Sequence, residues 1–241
     1  MKERLASLIS GGGTTMQAVV EACQSGEVPM EVACVVSSNS SAGGMEKAKK
    51  LGIPDEDIIV VDPDTFRGSD GKIDQNGFGQ AILRELRQRG TTVITQNGWL
   101  PLTPGIVIDE FPGMIFNQHP GSKKETRATH GIQPHAIMLY IARQTGRNLG
   151  TEVIIHRVNE KWDNGPTVAV ARVPIDDVNE DPKILQTRAL PVEHALQITF
   201  LKQLARGIVQ EIFTETEYLR PGEEHILFEA RKYAREFYPN G

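Results

Sequence analysis

The order of apolar segments predicts an α/β fold: a Rossmann-like, mostly parallel twisted sheet of about seven strands with helices on both faces. Two observations carry this reading. Short apolar runs of strand length alternate with longer segments whose apolar residues recur at i, i+3 and i+4. The intervals between the early runs are long enough for the helical crossovers that parallel strands require.

Residues 5–9 (LASLI) form the first strand, followed by Ser10 and three glycines. A helix comes next, with Met16, Val19, Val20 and Cys23 on one face. Residues 31–37 (EVACVVS) read as a buried strand and SNSSAGG (38–44) as a loop. The following helix carries Lys47, Lys49 and Lys50 on its polar side and stops at Gly52. Residues 57–61 make a third strand, 62–76 a polar surface loop, and Phe78 to Gln88 a helix. Strands four and five are TTVIT (91–95) and GMIFN (113–117), and an amphipathic helix lies near 134–146. Residues 151–158 and 167–174 read as two further strands joined by a turn containing Asp163-Asn164-Gly165-Pro166. Residues 183–207 are helical, with a restart expected at Pro191, since proline suits a first helical turn. The expected domain occupies residues 1–207. Residues 208–241 form a C-terminal extension that ends in a charged amphipathic helix and packs on the domain or on a partner subunit; packing on the domain is the favoured reading, and a homodimer follows from the other.

Composition excludes several classes. A hydrophobic fraction of 39% and a charged fraction of 24% describe an ordinary soluble globular chain. A net charge of -5 argues against nucleic acid as a partner, and no run approaches the ~20 apolar residues of a membrane span. Cys23 and Cys34 form no C-x-x-C pair and read as buried thiols in a reducing compartment. With no signal-peptide pattern in the opening residues, the cytoplasm is the expected location. No histidine pair has the spacing of H-E-x-x-H, so no metal is expected.

Two motifs carry chemistry. Ser10-Gly11-Gly12-Gly13-Thr14-Thr15 lies between a strand and a helix. Glycines let the backbone approach an anion, and the helix start offers unpaired N–H groups with partial positive charge. A plain tight turn is the other reading, and the loop is neither a Walker loop nor G-x-G-x-x-G. Asn117-Gln118-His119-Pro120 closes strand five, where open α/β sheets gather their ligands. An asparagine amide can donate to a developing oxyanion, and a histidine can move a proton near neutrality. Asp163 is the natural carboxylate partner, and His135 and His156 could reach the same mouth.

These residues form a wider pattern. LISGGGTTMQAVVEAC, VVSSNSSAGGMEKAKKLGIP, NGWLPLTPGIVIDEFPGMIFNQHPGS, GTEVIIHRVNEKWDNGPTVAVARVPI and ILQTRALPVEHALQITFLKQLARG stand in this order. Together, over residues 4–207, they resemble the phosphoribosylglycinamide formyltransferases, within the folate-dependent formyltransferase superfamily. The resemblance implies transfer of a formyl group from 10-formyltetrahydrofolate, as co-substrate, to the amine of glycinamide ribonucleotide in purine biosynthesis. It implies catalytic roles for Asn117, His119 and Asp163, phosphate binding by Gly11, Gly12, Gly13 and Thr14, and substrate binding by Glu193. It sets Trp99, Leu100, Leu102, His156 and Trp162 toward the pterin.

Two segments depart from that pattern. The folate loop, usually a Met-Arg-Ile-Leu-like run, reads Trp99-Leu100-Pro101-Leu102, one residue shorter and without the arginine. The Ser-Leu-Leu-Pro run after His-Pro is replaced by Gly121-Ser122-Lys123-Lys124-Glu125-Thr126. Lys123, Lys124 and Arg127 then stand either as ordinary solvated charges or as a mobile loop that orders over the folate's anionic tail. A sugar-amine formyltransferase, a formyltetrahydrofolate hydrolase and a non-catalytic phosphate-ligand-binding protein of the same fold are the alternative functions.

Overall fold

The computed structural model describes residues 2–213 and 216–241. Its strands are β1 (Arg4–Ile9), β2 (Glu31–Ser37), β3 (Ile58–Val60), β4 (Val93–Gln96), β5 (Ile115–Pro120), β6 (Thr151–Arg157) and β7 (Thr167–Val173). They form one sheet of order β3-β2-β1-β4-β5-β6-β7. The pairings among the first five are parallel, and β6 and β7 add antiparallel at one edge. Strand order reverses between β1 and β4, so a crevice opens above their carboxyl ends.

The helices are α1 (Thr14–Gln24), α2 (Gly43–Lys50), α3 (Gln75–Gln88), α4 (Gly105–Glu110), α5 (Lys123–Thr126), α6 (Gln133–Thr145), α7 (Pro182–Leu204) and α8 (Glu224–Phe237). Alternation along β1 divides the core. Ala6 and Leu8 pack with Phe78, Ile82 and Leu86 of α3 on one face. Leu5 packs with Val19 of α1 and Phe200 of α7 on the other. Both faces are therefore covered, as a parallel sheet requires.

Besides α4, in a stretch to which the sequence reading gave no element, three elements differ from that reading. α3 starts at Gln75 rather than Phe78, because the Asp74 carboxylate caps it by accepting from the Asn76 and Gly77 N–H groups. α7 runs unbroken through Pro191, where a restart was expected. Proline costs one backbone bond there, to the carbonyl four residues earlier, and packing of Leu185, Ala189, Phe200 and Leu201 holds both halves in line. Residues 123–126, read as a polar loop, are a short helix whose Glu125 and Thr126 are fully buried. In the extension, Ile226, Ala230 and Ala234 of α8 pack against Ala136, Ile137, Met138 and Ile141 of α6. Among the described residues, no helix is long and apolar enough to cross a membrane.

Candidate active site

The crevice at the strand ends is a cleft of about 540 Å³. The glycine loop after β1, residues 96–103 after β4, the end of β5, residues 128–131, residues 158–163 and one side of α7 wall it. Local chemistry builds each wall. Gly13 has φ 63°, and a Cβ there would lie 2.7 Å from Gly44 Cα, so only glycine allows the first two crossovers to meet. Gly11 and Gly12 have nothing within 4 Å of where a Cβ would point, which leaves open space above the α1 N-terminus. The first-turn N–H groups of α1 lack intrahelical partners by geometry. The Ser10 hydroxyl meets the Ser38 hydroxyl at 2.6 Å and accepts from the Leu100 N–H at 2.9 Å, tying the loop after β4 to the glycine loop.

Strand register brings the polar centre together. Asn117 on β5 stands opposite His156 on β6, and the Asn117 Nδ2 lies 3.1 Å from both His156 Nε2 and Asp163 Oδ1. His156 Nδ1 lies 2.9 Å from the Arg157 carbonyl, which can only accept, and His156 Nε2 stands 3.1 Å from the Asn117 amide nitrogen and 3.4 Å from Asp163 Oδ1. His119 is 4% exposed, with Nδ1 3.5 Å from Asp163 Oδ1 and Nε2 2.8 Å from Thr126 Oγ1. The Thr126 hydroxyl has one hydrogen, and the Ser122 carbonyl at 2.7 Å can only accept it. Thr126 therefore accepts from His119 Nε2–H. The proton that His119 gains or loses then sits on Nδ1, toward Asp163.

Asp163 occupies the left-handed region, with φ 45°, and so does Ala128, with φ 58°. These are the two non-glycine residues with positive φ among those described, and they touch: the Ala128 N–H donates to Asp163 Oδ2 at 2.9 Å. Non-glycine residues in this region carry strain and persist where surrounding contacts fix them.

Electrostatics separates the groups. Burial would raise the Asp163 carboxyl, but His119, His156 and the Ala128 N–H together hold it at about 2. Burial pushes His119 below the ordinary histidine range; Asp163 opposes this and His156 adds to it. Asp163 thus favours the charged imidazole without fully offsetting the loss of water. His135 is 1% exposed and burial lowers it to about 4, so it is a neutral imidazole in the cleft wall beside His119. Burial raises the half-buried Glu193, on the α7 side, to about 7.

The cleft collects all of the sequence-predicted residues: Gly11, Gly12, Gly13, Thr14, Trp99, Leu100, Leu102, Asn117, His119, His156, Trp162, Asp163 and Glu193. Their exposure differs. Trp99 is a core residue that shows only an edge, its ring stacked on Phe78 at 6.2 Å and 2°. Leu100 and Trp162 are half exposed at the rim. Lys123, Lys124 and Arg127 line none of the cleft, and Lys161 is the cation in its wall. Lys123 Nζ instead donates to the Gly165 carbonyl at 3.0 Å and reaches Thr167 Oγ1 at 3.3 Å, pinning α5 to the β6–β7 hairpin. Thr126 and the Ala128 N–H are the contributors that sequence reading missed. A threonine seven positions after a histidine and a backbone amide leave no pattern in a sequence. Among the described residues, no cluster of His, Cys, Asp or Glu could hold a metal ion.

Comparison with known proteins gives a consistent result. The formyl transferase family profile matches residues 3–201. The chain is 31% identical over 200 residues to a chloroplastic phosphoribosylglycinamide formyltransferase of Arabidopsis thaliana, covering 82% of this chain and 63% of that relative's length. It is 28% identical over 209 residues to the phosphoribosylglycinamide formyltransferase of Haemophilus influenzae, covering 85% of this chain and 88% of the relative. The crystal structure of glycinamide ribonucleotide transformylase 1 from Geobacillus kaustophilus superposes with a TM-score of 0.70 at 30% identity, covering 85% of this chain and all of that one. A match that spans the sheet, the glycine loop and the segment carrying Asn117, His119 and Asp163 places this chain in the formyl transferase family.

Proposed function

We propose that this chain transfers the formyl group of 10-formyltetrahydrofolate to the primary amine of glycinamide ribonucleotide, a step of purine biosynthesis. The observation that carries this reading is the union, in one cleft, of an open glycine loop at a helix N-terminus with the Asn117, His119 and Asp163 cluster. The first suits a phosphate and the second suits acyl transfer to an amine. The names of the relatives support the same acceptor.

In this reading the phosphate takes the N–H groups around Gly11, Gly12, Gly13 and Thr14, and Glu193 holds the glycinamide end. The folate enters beside Trp99, Leu100, Leu102, His156 and Trp162, whose rings and side chains supply an apolar wall with polar atoms at its edge. The amine nitrogen attacks the formyl carbon, and the carbonyl electron pair moves onto oxygen. The protein must then stabilise an oxyanion. Both Asn117 amide hydrogens face partners, Asp163 and His156, so the amide turns one of them to the oxyanion. His119 keeps Nε2–H on Thr126, and its Nδ1–H is the mobile donor. Asp163, held near 2, stays ionised and accepts the proton from the attacking amine. The adduct collapses, the bond from the formyl carbon to the folate nitrogen breaks, and that nitrogen takes the proton that Asp163 accepted, directly or through a bound water.

The test is an assay of formyl release from 10-formyltetrahydrofolate with and without glycinamide ribonucleotide. Release that depends on the acceptor, with formylated product formed in equal amount, is the expected result. Release without acceptor would make the chain a hydrolase, and no release in either case would make it a binding protein.

A further inference from the structure

We propose that α8, which lies beyond the residues matched by the family, is a positioning element for the active site, acting through Arg231 and Tyr238 on the loop of residues 122–133. This rests on the proposed formyl transfer and assigns a role in it to the extension.

The contacts run in series. The half-buried Arg231 donates from Nε to the Glu125 carbonyl at 3.0 Å and from Nη2 to the Lys124 carbonyl at 3.3 Å. These carbonyls belong to α5, whose next residue is Thr126, the acceptor for His119 Nε2–H. At the other end of the loop, Gln133 Nε2 donates to the Tyr238 carbonyl at 2.9 Å. Between the two tethers the chain passes through Ala128 at φ 58°, which aims its N–H at Asp163. Nothing in an alanine side chain favours that conformation, so it depends on the loop's own bonds, on Asp163 and on contacts that brace the loop's two ends. α8 braces the two ends from a firm base: Ala230 and Ala234 are fully buried and let the helix approach α6 closely, and Tyr233 packs on Tyr140 at 5.5 Å. The groups facing Asp163 are His119 from β5, His156 and Asn117 from the β5–β6 pair, and the Ala128 N–H from the loop; His135 of α6 faces His119. α8 reaches Asp163 only through the Ala128 N–H.

The full chain tests this with Arg231→Ala, Arg231→Lys and Gln133→Ala, using Phe228→Ser on the exposed outer side of α8 as a control. Hydrogen exchange on the unliganded protein reads the loop without requiring turnover. In Arg231→Ala the amides of Thr126, Ala128 and Thr129 should exchange roughly 10-fold faster, while those of Ile94 to Gln96 in the central sheet stay unchanged. Turnover should fall roughly 10-fold with the KM for glycinamide ribonucleotide within about 2-fold, because α8 does not line the cleft. Arg231→Lys should recover part of each effect, Gln133→Ala should repeat them more weakly, and Phe228→Ser should behave as the wild type. Wild-type exchange and turnover in both Arg231→Ala and Gln133→Ala would overturn the proposal. So would faster exchange throughout the sheet, which marks a contribution to global stability alone. A chain whose loop responds in exchange but transfers no formyl group would overturn the functional reading and leave the bracing intact.

Discussion

Glu193→Gln should make the protein more stable at pH 8 and no more stable at pH 4.5. The Glu193 carboxyl lines the cleft from α7, and its backbone carbonyl accepts from the Gln118 amide at 2.6 Å, which ties this turn of α7 to the end of β5. Burial raises it from the ordinary 4.5 to about 7. A carboxyl raised in the folded state binds its proton more tightly there than in the unfolded chain. Its contribution to stability is therefore complete below pH 4.5 and is lost as pH climbs through 7. The interval from 4.5 to about 7 corresponds to about 3 kcal/mol as a ceiling, and cleft water at a half-buried carboxylate reduces it to about 1–3 kcal/mol. The neutral amide escapes this cost. For a domain of this size the gain at pH 8 is roughly 3–10 °C in Tm. Thermal unfolding of both proteins at pH 4.5 and pH 8 measures it. An equal increment at the two pH values, or none at pH 8, would refute the reasoning. The same variant should raise the KM for glycinamide ribonucleotide about 10-fold if, as proposed, Glu193 holds the glycinamide end through its charge.

His119→Ala and Asp163→Ala should each lower turnover at least ~100-fold with small changes in KM, because both act on charge that develops only in the transition state; near-normal turnover in either variant would remove it from the mechanism. Thr126→Val leaves the buried His119 Nε2–H without an acceptor and should lower turnover roughly 10-fold, with Thr126→Ser close to wild type; equal rates for Val and Ser would show that the hydroxyl has no part. The glycine loop should separate folding from binding. Gly13→Ala drives a Cβ to 2.7 Å from Gly44 Cα at φ 63° and should cost about 2 kcal/mol or more in a denaturant titration, whereas Gly12→Val meets open space and should raise KM while leaving stability within about 0.5 kcal/mol.

Much of the architecture was legible before any coordinates. The runs at 5–9, 31–37, 57–61, 91–95, 113–117, 151–158 and 167–174 all fold as strands, within one to three residues at their ends. Apolar period and glycine placement are local properties, and a parallel sheet covered on both faces leaves few other ways to bury such runs. The errors fall where side chains act at a distance. Asp74 extends α3 by reaching two backbone amides, Pro191 passes inside α7 because packing on both sides outweighs one lost hydrogen bond, and Lys123 is drawn to the β6–β7 hairpin and away from the cleft.

The sequence by itself determined the strand order of the chemistry: a glycine loop after the first strand, Asn117 and His119 at the end of the fifth, and Asp163 in the last hairpin. Those positions follow from periodicity and from the rule that open α/β sheets present ligands at their carboxyl ends. Only the tertiary structure decided which nitrogen of His119 carries the mobile proton, why Asp163 stays ionised, and why Glu193 is raised to about 7. Each depends on one hydrogen bond or on the exclusion of water by residues remote in the chain: Thr126 through Ser122, Ala128 through the loop that α8 holds, and the α7 wall of the cleft. Proton positions are set by distances of a few ångströms in a low dielectric, and a linear sequence does not encode those distances locally.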